Sequence, residues 1–522
     1  MKSSSILLAL GGVLLGECAT ANNIQVSNTT LTGNTGSEVM VQFDIGWENS
    51  WRGNGVANWD AAWVFVKFKL PGDGGYTHAL LEPSGHVAPS GSLVEPGLVQ
   101  PGSAYNASTN PAVGVFIRRD ADGTGTFSAT GVQLRWNYGA MGSAFEDIRE
   151  VRVYAIEMVH INQGAFHLGT GGTETNAFRN GTTGQPYQIF QEGGSIYIDA
   201  GQLWADGEIE AGTLPPSFPK GYAASYMMKY EMSQQQYVDF LNSLTRTQQA
   251  ARVESDISPG TSVIAFPYVM TENTIVADRN GIRCDATVDP QSSITFYCDA
   301  NANGIGGEAD DGQWVACNNM LARDVLAYLD WSGLRLMTEL EYEKACRGPL
   351  PPLVNEFPWR TTTIVAPNAY ALANAFTANE GISNGYSTSA GNAVHGNTAA
   401  MRVGIFAANP ANTGRTTAGA SYYGIMELAG NQYEIVISAG NAAGRAYTGI
   451  HGNGALTGTG AHDVVSWPPV TDYDQLGLRG GASTTPAADV DRLHVSDRSL
   501  GASANWTIRI EGFGCRGVRT AP

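Results

Sequence analysis

The chain is 522 residues long, with 43% hydrophobic residues, only 15% charged residues and 64 glycines. That is enough apolar material for more than one core, and the abundance of Gly favours strands and turns over helices. A formal net charge of -18 argues against nucleic acid or an anionic membrane as the partner, because such a surface repels both.

The first segment, MKSSSILLALGGVLLGECATANN, carries Lys2, an apolar run from Ile6 to Leu15 and the small-residue stretch Ala19-Thr20-Ala21. The run is too short to span a bilayer, so residues 1–21 read as a secretory signal cleaved after Ala21, leaving no transmembrane segment in the mature chain. The expected location is outside the cell or on its surface. Lipidation at Cys18 is a competing reading, disfavoured by the charged Glu17 just before it.

Residues 22–156 alternate in the manner of an antiparallel β-sandwich. Val39, Val41, Phe43 and Ile45 fall on one face of a strand, as do Val64, Val66, Phe68 and Leu70 of a second. Further alternation at Val113 to Ile117, Val132-Leu134-Trp136 and Val151-Val153-Ala155 is separated by Gly-, Pro- and Asp-rich turns.

A second unit, residues 157–522, begins at EMVHINQGAFHLG without a low-complexity linker. Ser233 and Gln236 form a capping box, and Tyr237, Phe240, Leu241 and Leu244 recur at helical spacing, which predicts one helix over 233–250. Leu321, Val325, Tyr328 and Leu329 predict a second helix ending near Trp331, before Gly333. Thr338 and Glu341 cap a third that runs to Arg347. The fold class expected is therefore α+β, a β-sandwich followed by an irregular domain.

An insertion near 255–313 contains two of the cysteines that remain once Cys18 is removed. Cys284 and Cys298 bracket a polar stretch with little core of its own, and in an oxidising compartment they are the expected disulfide. Cys317 and Cys346 read as small apolar helix residues, and no spacing supports a zinc site. Within the insertion, Asp299, Asn301, Asn303, Ile305 (through its carbonyl) and Asp310 follow the one, three, five, seven and twelve spacing of a calcium loop, with Gly304 at the sixth place. A plain Asn/Gly turn is the alternative. The turn Asp120-Ala121-Asp122-Gly123 reads first as a hairpin.

Five segments together resemble the formylglycine-generating, or sulfatase-modifying factor, family. Met158, Val159, Ile161, Gly164, Phe166 and Gly169 match its opening strand, and Glu231, Ser233, Tyr237 and Phe240 match its first helix. The remaining three are RLMTELEYEKACRG (335–348), YYGIMELAGNQYEIV (422–436) and GFGCRGVR (512–519), with Met337 and Tyr342 departing from the usual Pro and Trp. The resemblance implies an irregular α/β fold related to C-type lectins. It also implies a structural calcium at Asn431, Gln432 and Glu434, although Tyr433 and Ile435 replace tryptophans there.

The family's oxidases hold copper(I) with two cysteines placed shortly before an Arg-x-x-x-Arg-Ser segment, a soft ion on soft ligands. The counterpart here is RLHVSDRS (492–499), and the preceding STTPAADVD (483–491) has no cysteine. Copper is therefore not expected, and neither is a catalytic site.

The family's relatives include variable proteins that present a recognition surface on C-terminal loops. By that resemblance Ser499, Leu500, Asn505, Trp506, Ile508, Ile510 and Glu511 are the candidate contact residues. The functional expectation is a secreted bacterial, non-catalytic protein that binds an extracellular protein or glycan. An oxidase with unrecognised ligands, and a structural subunit that self-assembles through its sandwich into a surface layer or filament, are the alternatives.

Overall fold

The computed structural model describes residues 23–53, 58–258, 263, 266–284, 293–367, 370–396, 398–408, 414–469, 474–502 and 508–522. The expected signal sequence, Cys18, Asn505 and Trp506 lie outside the described residues. Among those described, no helix is long and apolar enough to cross a membrane.

The first unit contains strands β1 (Gln25–Thr32), β2 (Val39–Arg52), β3 (Asp60–Lys69), β4 (Thr77–His78), β5 (Ser92–Leu98), β6 (Ala112–Arg119), β7 (Gly123–Trp136) and β8 (Glu150–Ile161). One layer is the antiparallel set β1-β2-β7, and the other runs β8-β3-β6-β5, with β4 on β3. Between them lie Val39, Val41, Phe43, Ile45, Val64, Val66 and Phe68, as alternation predicts.

The second layer is buried on both faces. Ala61, Trp63 and Phe65 of β3 point away from the sandwich and join the large core of the following unit, so β3 is buried along nearly its whole length. A strand covered on both sides cannot alternate apolar with polar. The one cation it buries, Lys67, donates from Nζ to the carbonyls of Trp331 and Gly454, each at 2.7 Å, and burial holds that amine well below its usual range.

The sheet does not stop at the expected boundary between residues 156 and 157. That point falls inside β8, which pairs with β3 on one side and with the strand Ser225–Met228 on the other. The latter pairs in turn with Val518–Thr520 near the C-terminus. Seven strands from both units thus form one sheet.

The predicted helix over 233–250 is two helices, α1 (Gln234–Leu241) and α2 (Arg246–Ala250). The Ser233–Gln236 capping box forms as expected. A second box, in which Thr245 and Gln248 exchange hydrogen bonds, starts a new helix and ends the first. Helix α3 (Ala322–Trp331) stops at Ser332, with Gly333 at φ +71°, and α4 (Glu339–Arg347) opens with the Thr338–Glu341 box.

The expected Cys284–Cys298 bridge is not formed. The two residues lie on the paired strands Ile282–Cys284 and Phe296–Cys298, but Cys284 faces Phe296 and Cys298 faces Ile282, two places out of register. Neither is in a disulfide and both are buried, as are Cys317, Cys346 and Cys515.

Candidate functional site

The heart of the second unit is an ion-pair network on α4, which carries acidic residues at 339, 341 and 343. Glu339 accepts from Arg479 at 3.0 Å and Arg498 at 2.6 Å, and Glu343 accepts from Arg479 at 2.9 Å and Arg347 at 3.2 Å. Glu341 takes both ends of the Arg335 guanidinium, at 2.7 and 2.9 Å. Every one of these groups is buried. Arg479 and Arg347 hold the Glu343 carboxyl below its ordinary range against the cost of burial. Such a network fixes geometry, since fully paired buried charges tolerate few alternative arrangements.

Arg498 ties the segment that corresponds to the family's copper loop to α4. The stretch before it, Ser483–Asp491, enters a short 3-10 turn at Ala487–Leu493 and contributes no thiol. Burial pushes the thiols of Cys298, Cys317, Cys346 and Cys515 up, which favours the protonated form of each in the metal-free chain.

At the family-type calcium segment two of the three side chains, Asn431 and Glu434, are already engaged. The Asn431 side chain accepts from the Met401 N–H at 2.9 Å and donates to Glu231, while its carbonyl accepts from Ser483 at 2.9 Å. Glu434 accepts from Arg516 Nε at 2.6 Å. A guanidinium therefore supplies the positive charge that a cation would bring. The Gln432 amide is buried without a partner, but a single amide does not make a cage for an ion that takes 6–8 oxygens. The set does not fit calcium as it stands, and its arrangement is that of a buried ion pair.

The insertion loop is different. Asp299 is buried and committed to Arg283 at 2.5 Å and to the N–H of Gly304 at 3.2 Å, so it braces the turn from inside. Ile305 is 59% exposed, and its N–H bonds to Asn303 at 2.8 Å. Carboxylate oxygens of Glu308, Asp310 and Asp311 converge to within 4.8 Å of one another. Glu308 and Asp311 were missed by sequence because they fall at the tenth and thirteenth places, off the template. The signal available was the acidic run itself, EADD at 308–311. Burial, reinforced by Asp299, Glu308 and Asp310, lifts the Asp311 carboxyl to about 6.

The C-terminal loop is clamped at Arg509. Arg509 reaches inward to Asp324 at 2.6 Å and to the Asn319 carbonyl at 2.8 Å, and outward to Glu254 at 3.1 Å. Asp324 in turn accepts from the Leu321 N–H at the start of α3. Glu511 sits against Asp278, and burial together with that like charge raises it to about 7.

Of the expected contact residues, Leu500 and Ile510 pack on the main core, and Ser499 is turned back on Asp497 at 2.6 Å. These three are scaffold in large part. Ile508 is 63% exposed. The insertion borders the same loop through Glu254 and Asp278, and it carries exposed Phe266 and Ile275. Sequence reasoning missed those two because it treated the insertion apart from the C-terminus.

No curated protein matches the chain. The model of the sulfatase-modifying factor enzyme 1-like domain matches residues 145–498, some two thirds of the chain, beginning just before β8, the strand at which the two units fuse. By the extent of that match the chain belongs to the sulfatase-modifying factor enzyme 1-like family.

Proposed function

We propose that this family member is an exported, non-catalytic binding protein whose C-terminal loop, flanked by the insertion, recognises an extracellular protein or glycan. The observation that carries the reading is the pairing of an anchored cation with an exposed apolar neighbour. Arg509 is locked to buried Asp324 while its neighbour Ile508 stands exposed. Preorganised apolar side chains above a fixed scaffold lower the ordering cost of binding. The adjoining insertion also carries exposed Phe266 and Ile275.

Export is supported by the N-terminal apolar run, and burial of the five described thiols is compatible with it. The reading is tested by screening the purified mature chain on a glycan array and against a displayed peptide library. Any ligand recovered is then challenged with Ile508→Glu. The variant is expected to lose at least tenfold in affinity with an unchanged melting temperature. Equal affinity in the variant would place recognition elsewhere.

A further inference from the structure

The loop Asp299–Asp311 gathers four carboxylates, Asp299, Glu308, Asp310 and Asp311, against one adjacent cation, Arg283, which is spent on Asp299. Three acidic groups are left to face one another, with single oxygens within 4.8 Å. The positive charge that meets them in the described hydrogen bonds is partial: the Asn301 amide donates to Glu308 and Asp310 at 3.2 and 3.0 Å, the Asn303 amide to Glu308, and the Glu308 N–H to Asp311.

An independent observation concerns Asp311. It is fully buried, and although its Oδ2 accepts from the Glu308 N–H at 2.7 Å, its Oδ1 has no partner at all. A buried carboxylate oxygen left unpaired beside two further carboxylates is costly unless something positive occupies the space between them.

We infer that Glu308, Asp310 and Asp311 form a binding site for a divalent, hard cation of the calcium type, with Asp299 as the residue that positions the loop rather than as a ligand. Oxygen donors only, three formal negative charges and a backbone braced by turns at Gly304 and Gly307 suit calcium better than magnesium, which demands a stricter octahedron. The site is not the spacing template read from sequence, since Ile305 contributes nothing and the ligands cluster at the loop's end.

Its consequence is mechanical. The residues following Asp311 receive the start of α1, where the N–H groups of Gln234 and Gln235 bond to the carbonyls of Val315 and Gln313 at 2.9 and 3.0 Å. A cation on Asp311 therefore pins the insertion to that helix. This inference is independent of the recognition surface proposed above.

The test is isothermal titration of the full mature chain, freed of metal by chelation, with calcium chloride and then magnesium chloride, alongside thermal melts. One calcium per chain is expected, with a dissociation constant in the range of about 10⁻⁵–10⁻³ M, weaker magnesium binding and a raised melting temperature. Glu308→Gln combined with Asp310→Asn, both at partly or fully exposed positions, should weaken binding at least tenfold without lowering the melting temperature of the metal-free chain. Asp311→Asn, which keeps the size of the buried group, should do the same. Absence of binding at millimolar calcium, or full affinity in both variants, would overturn the assignment.

Discussion

Asp239 on α1 is buried, and burial lifts its carboxyl to about 7 against the opposing pull of the Gln235 amide and the Arg152 charge. Glu427 and Asp330 are raised to about 7 by the same cause. Between about pH 4 and 7 the folded chain holds a proton at such a group that the unfolded chain has released, so its contribution to stability falls as pH rises through that window, by up to ~1.4 kcal/mol per pH unit. Histidines kept neutral by burial, His78 and His451 among them, act in the opposite sense, because they cost stability as pH falls below their unfolded value. The Asp239 term is therefore read as a difference: the urea midpoint of Asp239→Asn should gain on that of the parent from pH 5 to pH 7. A difference that does not vary with pH would show that Asp239 is ionised throughout.

At the scale of elements, α4 is held by charge as much as by apolar packing. Arg479→Met leaves Glu343 with Arg347 alone and removes one of the two partners of Glu339, so unfolding should become easier by about 3–5 kcal/mol in a denaturant titration. A loss below 1 kcal/mol would mean the network is dispensable. Thr245→Ala removes the box that starts α2 and should cost about 1 kcal/mol, with no effect on α1. The capping boxes at Ser233 and Thr338 were legible in sequence because the cap and its partner lie three residues apart. The Thr245–Gln248 box obeys the same rule but was hidden inside an apolar period that continued to Leu244. Strand β3 was legible only on one face: Val64, Val66 and Phe68 announce the sandwich, whereas Trp63 and Phe65 meet a second core that no local pattern reveals. The cysteine pairing failed for a related reason, since proximity in sequence does not set register, and a shift of two places separates Cys284 from Cys298. In the C-terminal loop, residue type marked Leu500 and Ile508 alike, and only the packing distinguishes the core residue from the exposed one.

Taken whole, the molecule is two units sharing one sheet and one large core. Bonds from Trp63 to the Ser332 carbonyl at 2.7 Å, from Lys67 to Trp331, and from Arg519 to Leu98 cross between them. Calorimetry should accordingly show one cooperative transition, and a chain cut before β8 should leave the sandwich with an unpaired β3 and an uncovered face. Two separate transitions would show that the units are independent. The central proposal is that this scaffold serves recognition rather than thiolate chemistry. Anaerobic titration with copper(I) against a competing chromophoric chelator tests it most directly. The account predicts no stoichiometric transfer of copper to the folded chain, because the described thiols are buried and the stretch Ser483–Asp491 carries none. One copper(I) per chain, abolished by Cys317→Ser or Cys515→Ser, would contradict it.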